Sequence, residues 1–230
     1  MTRRKSLFDA AFDIAVDFVW RVIDGEKLKG RYGERRIARR LEGKTFPSGL
    51  LGTSRPLGTC VRNMYVPLPD GASSEVDVVL ANEKGLFVIE SKNYSGWIFG
   101  SETHEMWTQT FPSGRKERFY NPVRQNVGHI KALRAALGDD VPMFSVVVFS
   151  SRCELKKVNV SEQAAVVCQQ EDVRLAVRRK MEHLPDALSA KQVEEVLAGL
   201  QSMAATSAGT RRAHAERVKK IAQTSKGEGN

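Results

Sequence analysis

Hydrophobic and polar positions alternate most clearly in the stretch SEVDVVLANEKGLFVIESKNYSGW, which covers residues 74–97. Two apolar runs, at residues 74–81 and 86–92, are separated by NEKG, a turn-forming stretch that ends in glycine. Apolar runs of this length on either side of a short turn predict a β-hairpin, in which the two strands pair in antiparallel fashion.

Each predicted strand of this hairpin carries a carboxylate where a core strand would normally have another apolar residue. Alternation places Asp77 on one face of the first strand, and places Glu90 and Lys92 together on one face of the second. The residues expected on the opposite face of the first strand are Val76, Val78 and Leu80. Since antiparallel pairing joins the start of one strand to the end of the next, the two acids and the lysine should meet at one corner of the sheet.

The rest of the chain predicts an α/β domain. Apolar residues at helical spacing predict helices at residues 31–42, 121–138, 171–184, 189–203 and 211–223, and apolar runs predict further strands at residues 60–68, 143–150 and 164–170. Between residues 93 and 121, two runs of polar and aromatic residues around a Pro-Ser-Gly turn predict a protruding hairpin, whose rings would stack on nucleic-acid bases or pack on the sheet. This order of elements is typical of a mixed central sheet flanked by helices.

The amino-terminal segment, residues 6–23, has apolar residues over most of a helical circumference and a single acidic stripe. The stripe consists of Asp9, Asp13 and Asp17, and each of them would cost about 2.5–3.5 kcal/mol at the centre of a bilayer. We therefore expect neither a membrane anchor nor a secretory signal, and we expect a cytoplasmic protein. The apolar surface predicts a homodimer or a protein partner through this helix, with packing against the carboxy-terminal helices as the alternative.

Composition and charge point to a globular protein that binds a polyanion. The 230 residues are 41% hydrophobic and 27% charged, and 36 Lys and Arg against 27 Asp and Glu give a net charge of +9. This excess favours nucleic acid as a partner, and the absence of a base-reading motif predicts little sequence specificity. The three widely spaced cysteines, Cys60, Cys153 and Cys168, predict reduced thiols rather than disulfides or a zinc site.

The paired acids of the hairpin, Asp77 and Glu90, suit a hard divalent cation. Two nearby carboxylates resist ionising together unless a cation compensates them. Mg²⁺ is bound by a few carboxylates together with water, which leaves positions for a phosphate oxygen, and Lys92 would orient the attacking water or balance charge on the phosphate. This pattern favours metal-dependent hydrolysis of a phosphodiester. The alternative is an exposed ion-pair cluster worth under about 1 kcal/mol, and the residues alone leave both open.

A set of short motifs surrounds this hairpin in a fixed order. They are Gly33-Glu34, then Asp77, then Glu90-Ser91-Lys92, the SGW of residues 95–97 and the NPVRQ of residues 121–125. Over roughly residues 30–150, this order resembles the nuclease-related domain (NERD), a family of the PD-(D/E)XK nuclease superfamily. The resemblance implies a restriction-endonuclease-like core, a mixed central sheet flanked by helices, that holds Mg²⁺, with Mn²⁺ as a substitute. One departure is Val76 before Asp77, where many members of the superfamily have proline.

The resemblance also implies roles for the acidic residues. Asp77 and Glu90 would bind the metal, with the backbone carbonyl of Ser91 as a third candidate ligand. Glu34, on the first core helix, would be an outer acid that orients a metal-bound water or holds a second ion. Without the resemblance, Glu34 is equally well explained as a partner for Arg31 on a solvated helix face.

Two further roles follow for polar residues beside the acids. Lys92 would be the catalytic lysine, and Gln125 would point into the active site from the helix that follows the hairpin region. His129 lies one helical turn after Gln125, but we leave it outside the catalytic set because a single histidine is more often structural.

Together these features predict a DNA endonuclease or nickase with little intrinsic sequence specificity, with defence against foreign DNA as one setting. The alternative is a catalytically weak nucleic-acid-binding module or an effector subunit of a larger complex. We expect residues 1–29 to form an amino-terminal helix, residues 30–185 the nuclease-like domain, and residues 186–230 a basic helical extension.

Overall fold

The structure is a computed structural model that describes residues 30–44, 55–68 and 73–206. The helices expected at residues 6–23 and 211–223 lie outside these ranges. The dimer or protein partner expected through residues 6–23 therefore stays a prediction, as do the three domain boundaries.

The described part of the chain contains four helices and nine strands. In chain order, the helix α1 (30–41) is followed by the strands β1 (Thr59–Pro67), β2 (Ser73–Asn82), β3 (Gly85–Lys92), β4 (Gly96–Ser101), β5 (Met106–Thr110) and β6 (Lys116–Tyr120). The remaining elements are α2 (Pro122–Leu137), β7 (Met143–Phe149), β8 (Cys153–Asn159), β9 (Val166–Gln169), α3 (Val173–Glu182) and α4 (190–206). This arrangement confirms the mixed α/β class, and β8 is a strand that the sequence pattern did not predict.

Five strands form a large mixed sheet in the order β1-β2-β3-β7-β9. The first three are antiparallel neighbours, whereas β3, β7 and β9 run parallel. The hairpin predicted for residues 74–92 is confirmed as β2–β3, whose register pairs Val78 with Ile89. Its turn requires glycine, because Gly85 has a φ of 126° and a Cβ atom there would collide with the carbonyl oxygen of Pro142.

Helices cover both faces of the large sheet. On one face, α2 and α4 pack through Leu133 and Leu200 on a buried cluster that includes Val88 of β3. On the other face, α1 and α3 pack through Ile37 and Val177 against the opposite side of the same strands. Strands that are buried on both faces need nearly continuous apolar sequence, which explains the apolar runs of β3 and β7.

The prediction that Val76 shares a face with Val78 and Leu80 is wrong. Val78 and Leu80 share a face, as expected, and lie on the α1 side of the sheet, but Val76 packs with Val79 in the cluster under α2 and α4. The alternation is interrupted at Asp77, because the register between β1 and β2 skips the pair that would contain this residue.

The segment at residues 93–121 is not an isolated protruding hairpin. The strands β5 and β6 do form a hairpin, but β5 also pairs with β4 in a second sheet of four strands, in the order β6-β5-β4-β8. Trp107 is fully buried, and its ring stacks on Phe149 of the large sheet with 6.0 Å between the ring centroids. Of the two roles open to the aromatic residues, Trp107 therefore has the packing role.

The two sheets are joined by two parallel connections, which we call the paired bend. Residues 93–95 lead from β3 into β4, and residues 150–152 lead from β7 into β8, while both strand pairs run parallel. The connections are tied to each other, because the guanidinium of Arg152 donates to the backbone and side-chain oxygens of Asn93, both at 2.9 Å.

Two further observations on the described residues concern helix length and the cysteines. Within those ranges, no helix is long and apolar enough to cross a membrane. All three cysteines are described and all are free, and Cys153 and Cys168 are buried.

Candidate active site

The predicted corner forms where β2 and β3 part. Their ladder begins at the pair Val78–Ile89, so Asp77 and Glu90 occupy the next facing positions, just beyond the last pair. On the other side of β2, the residue opposite Asp77 is Asn63, which has a φ of 57° and is also missing from the ladder. A left-handed conformation is uncommon outside glycine, although asparagine tolerates it better than most residues. The backbone is therefore irregular on both sides of Asp77.

At this break, the carboxylate of Asp77 accepts a hydrogen bond from a backbone N–H group of β3 that β2 no longer pairs with. Its Oδ2 atom accepts a hydrogen bond of 2.9 Å from the backbone N–H of Ser91. Burial raises the pKa of Asp77 to about 8, and the negative charge of Glu90 adds to the effect, while the Ser91 hydrogen bond and the charge of Lys92 oppose it. At neutral pH and without a bound cation, Asp77 therefore favours its protonated form.

Glu90 is buried and has a partner at each oxygen. Its Oε1 atom lies 2.7 Å from the Nζ atom of Lys92, and its Oε2 atom lies 3.0 Å from Nε2 of His129. Burial opposes ionisation, but the hydrogen bond with His129 and the charge of Lys92 outweigh it and lower the pKa of Glu90. The pKa values of the two carboxyl groups are thus shifted in opposite directions, raised for Asp77 and lowered for Glu90.

The helix α2 places two side chains against this pair. The Nζ atom of Lys92 donates to Oε1 of Gln125 at 2.9 Å. One helical turn later, His129 has its Nε2 atom 3.5 Å from Nε2 of Gln125 and its Nδ1 atom 2.6 Å from the hydroxyl of Ser74 on β2. Residues four apart share a helix face, so both side chains reach the same corner.

Glu34 approaches the corner from α1. Its side chain is 7% exposed, and its Oε2 atom has no hydrogen-bond partner. Burial raises the pKa of Glu34, and a hydrogen bond from Asn63 opposes this shift. The charge of Glu34 also contributes to the raised pKa of Asp77, so the two groups interact without touching.

The backbone carbonyl of Ser91 lies on the Asp77 side of β3. The N–H and C=O groups of one strand residue leave the strand on the same side, and the Ser91 N–H points at Asp77. The next carbonyl, that of Lys92, points the opposite way and accepts a hydrogen bond of 2.9 Å from the N–H of Ser150. The Ser91 carbonyl therefore shares the edge on which the two acids meet.

Oxygen atoms are the metal donors that this corner offers. Among the described residues, no group of three or more His, Cys, Asp and Glu side chains is arranged to hold a metal ion. Two carboxylates and one backbone carbonyl nevertheless match a cation such as Mg²⁺, which keeps several water ligands. The buried, unpartnered oxygen of Glu34 adds an acceptor near this set.

Five of the predicted site residues are linked by hydrogen bonds and by the chain itself: Asp77, Glu90, Ser91, Lys92 and Gln125. Glu34 has no hydrogen bond to any of them and interacts through charge. His129, which the sequence analysis left aside, contacts Glu90 directly. Its position one helical turn after Gln125 was the available signal.

Asn126 is a second polar residue that sequence reasoning missed. It is fully buried, and its Nδ2 atom donates to the carbonyl of Val88 at 2.8 Å, to the hydroxyl of Ser145 at 3.0 Å and to the carbonyl of Val146 at 3.3 Å. These contacts fix α2 against β3 and β7 beside Gln125. Asn126 therefore helps to set the position of the α2 side chains at the corner.

A known protein family matches the part of the chain that contains this corner. A family model described as the nuclease-related domain (NERD) matches residues 29–150, a range that includes α1, β7 and the elements between them. A protein of Bacillus anthracis, described only as uncharacterized, is 34% identical over 151 residues. The aligned part is 66% of this chain and 66% of that protein, so the chain spans just under two thirds of this relative's length. No solved structure matches this chain.

Proposed function

Because the chain belongs to the nuclease-related domain family, we propose that it is a metal-dependent nuclease that hydrolyses phosphodiester bonds in DNA. Family membership supports a nuclease-related function with nucleic acid as the partner. The observation that carries the proposal is the corner of β2 and β3, where Asp77, Glu90 and Lys92 lie around one break in the sheet.

Mg²⁺ fits the donors at this corner, and Mn²⁺ accepts similar ligands. The carboxylates of Asp77 and Glu90 and the carbonyl of Ser91 are the oxygen donors that would hold it. The raised pKa of Asp77 reflects burial and repulsion between carboxylates, and a divalent cation would relieve both. When bound, such a cation polarises the phosphate and makes water a better nucleophile.

Lys92 is the cation that the chain itself supplies to the phosphate. An ammonium group has three N–H donors, and Glu90 and Gln125 accept two of them at 2.7 and 2.9 Å. The third donor is then available to a phosphate oxygen. Hydrolysis joins a water oxygen to phosphorus and breaks one P–O ester bond, and Lys92 would stabilise the negative charge that builds on the phosphate during this step.

The surrounding residues hold these groups in position. Gln125 restrains the ammonium of Lys92, while His129 occupies the second oxygen of Glu90 and is itself held by Ser74. Glu34 is assigned as the outer acid, since its unpartnered oxygen would orient a water molecule or hold a second ion near Asp77.

A plasmid-nicking assay tests this function directly. Supercoiled DNA incubated with the full chain should be nicked or linearised with Mg²⁺ or Mn²⁺ and stay intact with EDTA. Asp77→Asn and Glu90→Gln should abolish cleavage, because each removes a charged oxygen ligand at the corner. Glu195→Gln, on the exposed face of α4, is the control and should cut normally. Wild-type cleavage by either corner variant would refute the assigned site.

A second function is supported by the contacts that engage both oxygens of the Glu90 carboxylate. Lys92 and His129 engage both of its oxygens, which also suits a structural ion-pair cluster in a nucleic-acid-binding or effector subunit that does not cut. Such a protein would shift DNA in a gel with wild-type affinity after Glu90→Gln, and no metal would produce nicks.

A further inference from the structure

A cavity of about 480 Å³ opens beside the corner. It lies at the carboxyl ends of the parallel strands β3 and β7, against α1, and Gln170 closes one side by donating to the carbonyl of Gly33 at 3.0 Å. In open α/β sheets, ligands bind outside the carboxyl ends of strands. The volume is also within the range of small-molecule pockets, about 300–1,000 Å³.

The lining combines an apolar floor with a cationic rim. The floor is formed by Ile37, Val148 and Phe149, which also belong to the buried core. The rim carries three cations, contributed by Arg36 of α1, Lys92 of β3 and Arg152 of the paired bend. A ligand that fills this space needs a flat apolar part and an anionic group.

An aromatic ring stands at the mouth of the cavity. Tyr32 lines it and is 56% exposed, and the guanidinium of Arg36 lies 5.9 Å from the centroid of its ring. The next residue, Gly33, lies beside the end of β3, where a Cβ atom would be 3.7 Å from the hydroxyl of Ser91, an ordinary van der Waals contact. The helix α1 therefore places the ring of Tyr32 at the cavity, next to the end of β3.

A nucleotide has both features that the lining requires. Its base offers a flat face for Tyr32 and the apolar floor, and its phosphate suits the arginine rim. Lys92 lines the cavity and also pairs with Glu90 of the corner, so a phosphate that reaches Lys92 from the cavity would lie next to the corner. A base that is paired and stacked in a duplex is not available to such a pocket.

We infer that this cavity receives one unpaired nucleotide of the strand that is cut, next to the scissile phosphate. The inference rests on the proposed function and makes it more specific: the substrate is single-stranded, or unpaired at the cleavage point. The shared chemistry is that of a nucleoside monophosphate, which either a DNA strand or a free nucleotide supplies.

Binding to the full chain in EDTA tests the pocket apart from cleavage. Thymidine 5′-monophosphate should bind in an NMR titration, and Tyr32→Ala should weaken binding by about 5- to 100-fold through loss of stacking. Tyr32→Phe keeps the ring and should bind within about twofold of wild type. Tyr120→Ala, at a position 48% exposed on β6, is the matched control. Equal binding by wild type and Tyr32→Ala would overturn the inference.

The phosphate contact has a test of its own. Wild-type protein should bind thymidine 5′-monophosphate more tightly than thymidine, and Arg152→Ala should remove that preference. Since Arg152 also ties the paired bend to Asn93, a purely structural effect would weaken both ligands equally and would refute the phosphate contact. A single-stranded oligonucleotide should compete with the mononucleotide. Failure to compete would show that the pocket serves free nucleotides and would overturn the inference.

Cleavage separates this inference from the proposed function. With Mg²⁺, single-stranded DNA or a mismatched bubble should be cut faster than a fully paired duplex, and Tyr32→Ala should reduce that difference. Equal cutting of the paired duplex would refute the unpaired nucleotide and leave the nuclease standing. Tyr32-dependent binding without cleavage of any DNA would refute the nuclease and support the pocket as a nucleotide site.

Discussion

The carboxyl group of Asp77 keeps its proton into the neutral range because burial, and then the charge of Glu90, disfavour the ionised form and raise its pKa to about 8. In the unfolded chain, the same carboxyl titrates near 3.8. Between these two values, the folded protein binds more protons at Asp77 than the unfolded chain does. The contribution of Asp77 to the free energy of unfolding therefore falls as the pH rises through this window.

Replacing Asp77 with asparagine should remove this pH-dependent loss. The amide oxygen of Asp77→Asn still accepts from the Ser91 N–H, so the main change is the missing titration. In EDTA, the variant should match wild type most closely near pH 5 and exceed its free energy of unfolding increasingly towards pH 8.5, as measured by urea unfolding. Asp139→Asn, at an exposed position, is the control for the loss of a carboxyl group elsewhere on the protein. A difference that shrinks as the pH rises would contradict the raised pKa.

Lys92 should matter more for turnover than for metal binding. Its ammonium pairs with Glu90 and Gln125 and is assigned to the phosphate, so Lys92→Ala should lower the cleavage rate by about 100- to 1,000-fold. Calorimetry with Mn²⁺ should show that the oxygen donors still bind the ion. The matched control is Lys156→Ala, whose ammonium lies 2.7 Å from Glu154 in an exposed ion pair. Loss of Mn²⁺ binding in Lys92→Ala would point to a structural lysine instead.

At the scale of elements, the buried face of α2 differs from the face that the spacing of its apolar residues predicts. Val127 continues the helical spacing of Val123 and Ile130, yet it is 55% exposed. The neighbouring Asn126 is fully buried and donates to backbone carbonyls of the adjacent central strands β3 and β7. Hydrogen bonds to strand carbonyls turn the helix so that an amide, rather than a valine, faces inward.

The stability of α2 on the sheet should therefore depend on the amide. Asn126→Ala leaves the acceptors on β3 and β7 without this donor and should lower the free energy of unfolding by about 1–3 kcal/mol. Val127→Ala, one residue away on the solvent side, should change it by less than about 0.5 kcal/mol. Urea unfolding of both variants gives the comparison. Equal losses would mean that the helix is held by its apolar face alone.

The small sheet shows why some elements escaped prediction. The strand β8 reads CELKKVN, with charged residues at several of its positions, and it pairs with β4, more than 50 residues earlier in the chain. No local pattern in the sequence predicts this pairing, because the partner strand β4 is distant in the chain. The stacking of Trp107 on Phe149 also joins residues that are far apart in the sequence, so no local pattern predicts it.

At the scale of the whole molecule, local pairing made the corner predictable. Asp77, Glu90 and Lys92 belong to one hairpin, so period-two alternation was enough to bring them together. His129 and the cavity depend on contacts between distant segments, which periodicity does not encode. The spacing of acid and lysine is itself unspecific, since Glu154 and Lys156 form the same short ion pair on an exposed strand.

The oligomeric state is a prediction for the full chain. Among the described residues, each face of the large sheet already packs against two helices, so this sheet does not offer a free face to the apolar segment at residues 6–23. We expect this segment to pair with its copy in a second chain, which gives a dimer of twice the 25.6 kDa chain mass. Light scattering should show this dimer, and a chain without residues 1–25 should be a monomer. A monomeric full chain would contradict the dimer.

The paired bend limits how the small sheet can move relative to the large one. A single connecting strand would act as a swivel, free to rotate and to twist. Two parallel connections, tied by Arg152 to Asn93, oppose both motions. The stacking of Trp107 on Phe149 adds a third attachment between the sheets. Since Asn93 and Arg152 also line the cavity, this junction fixes the cavity wall beside Lys92 relative to both sheets.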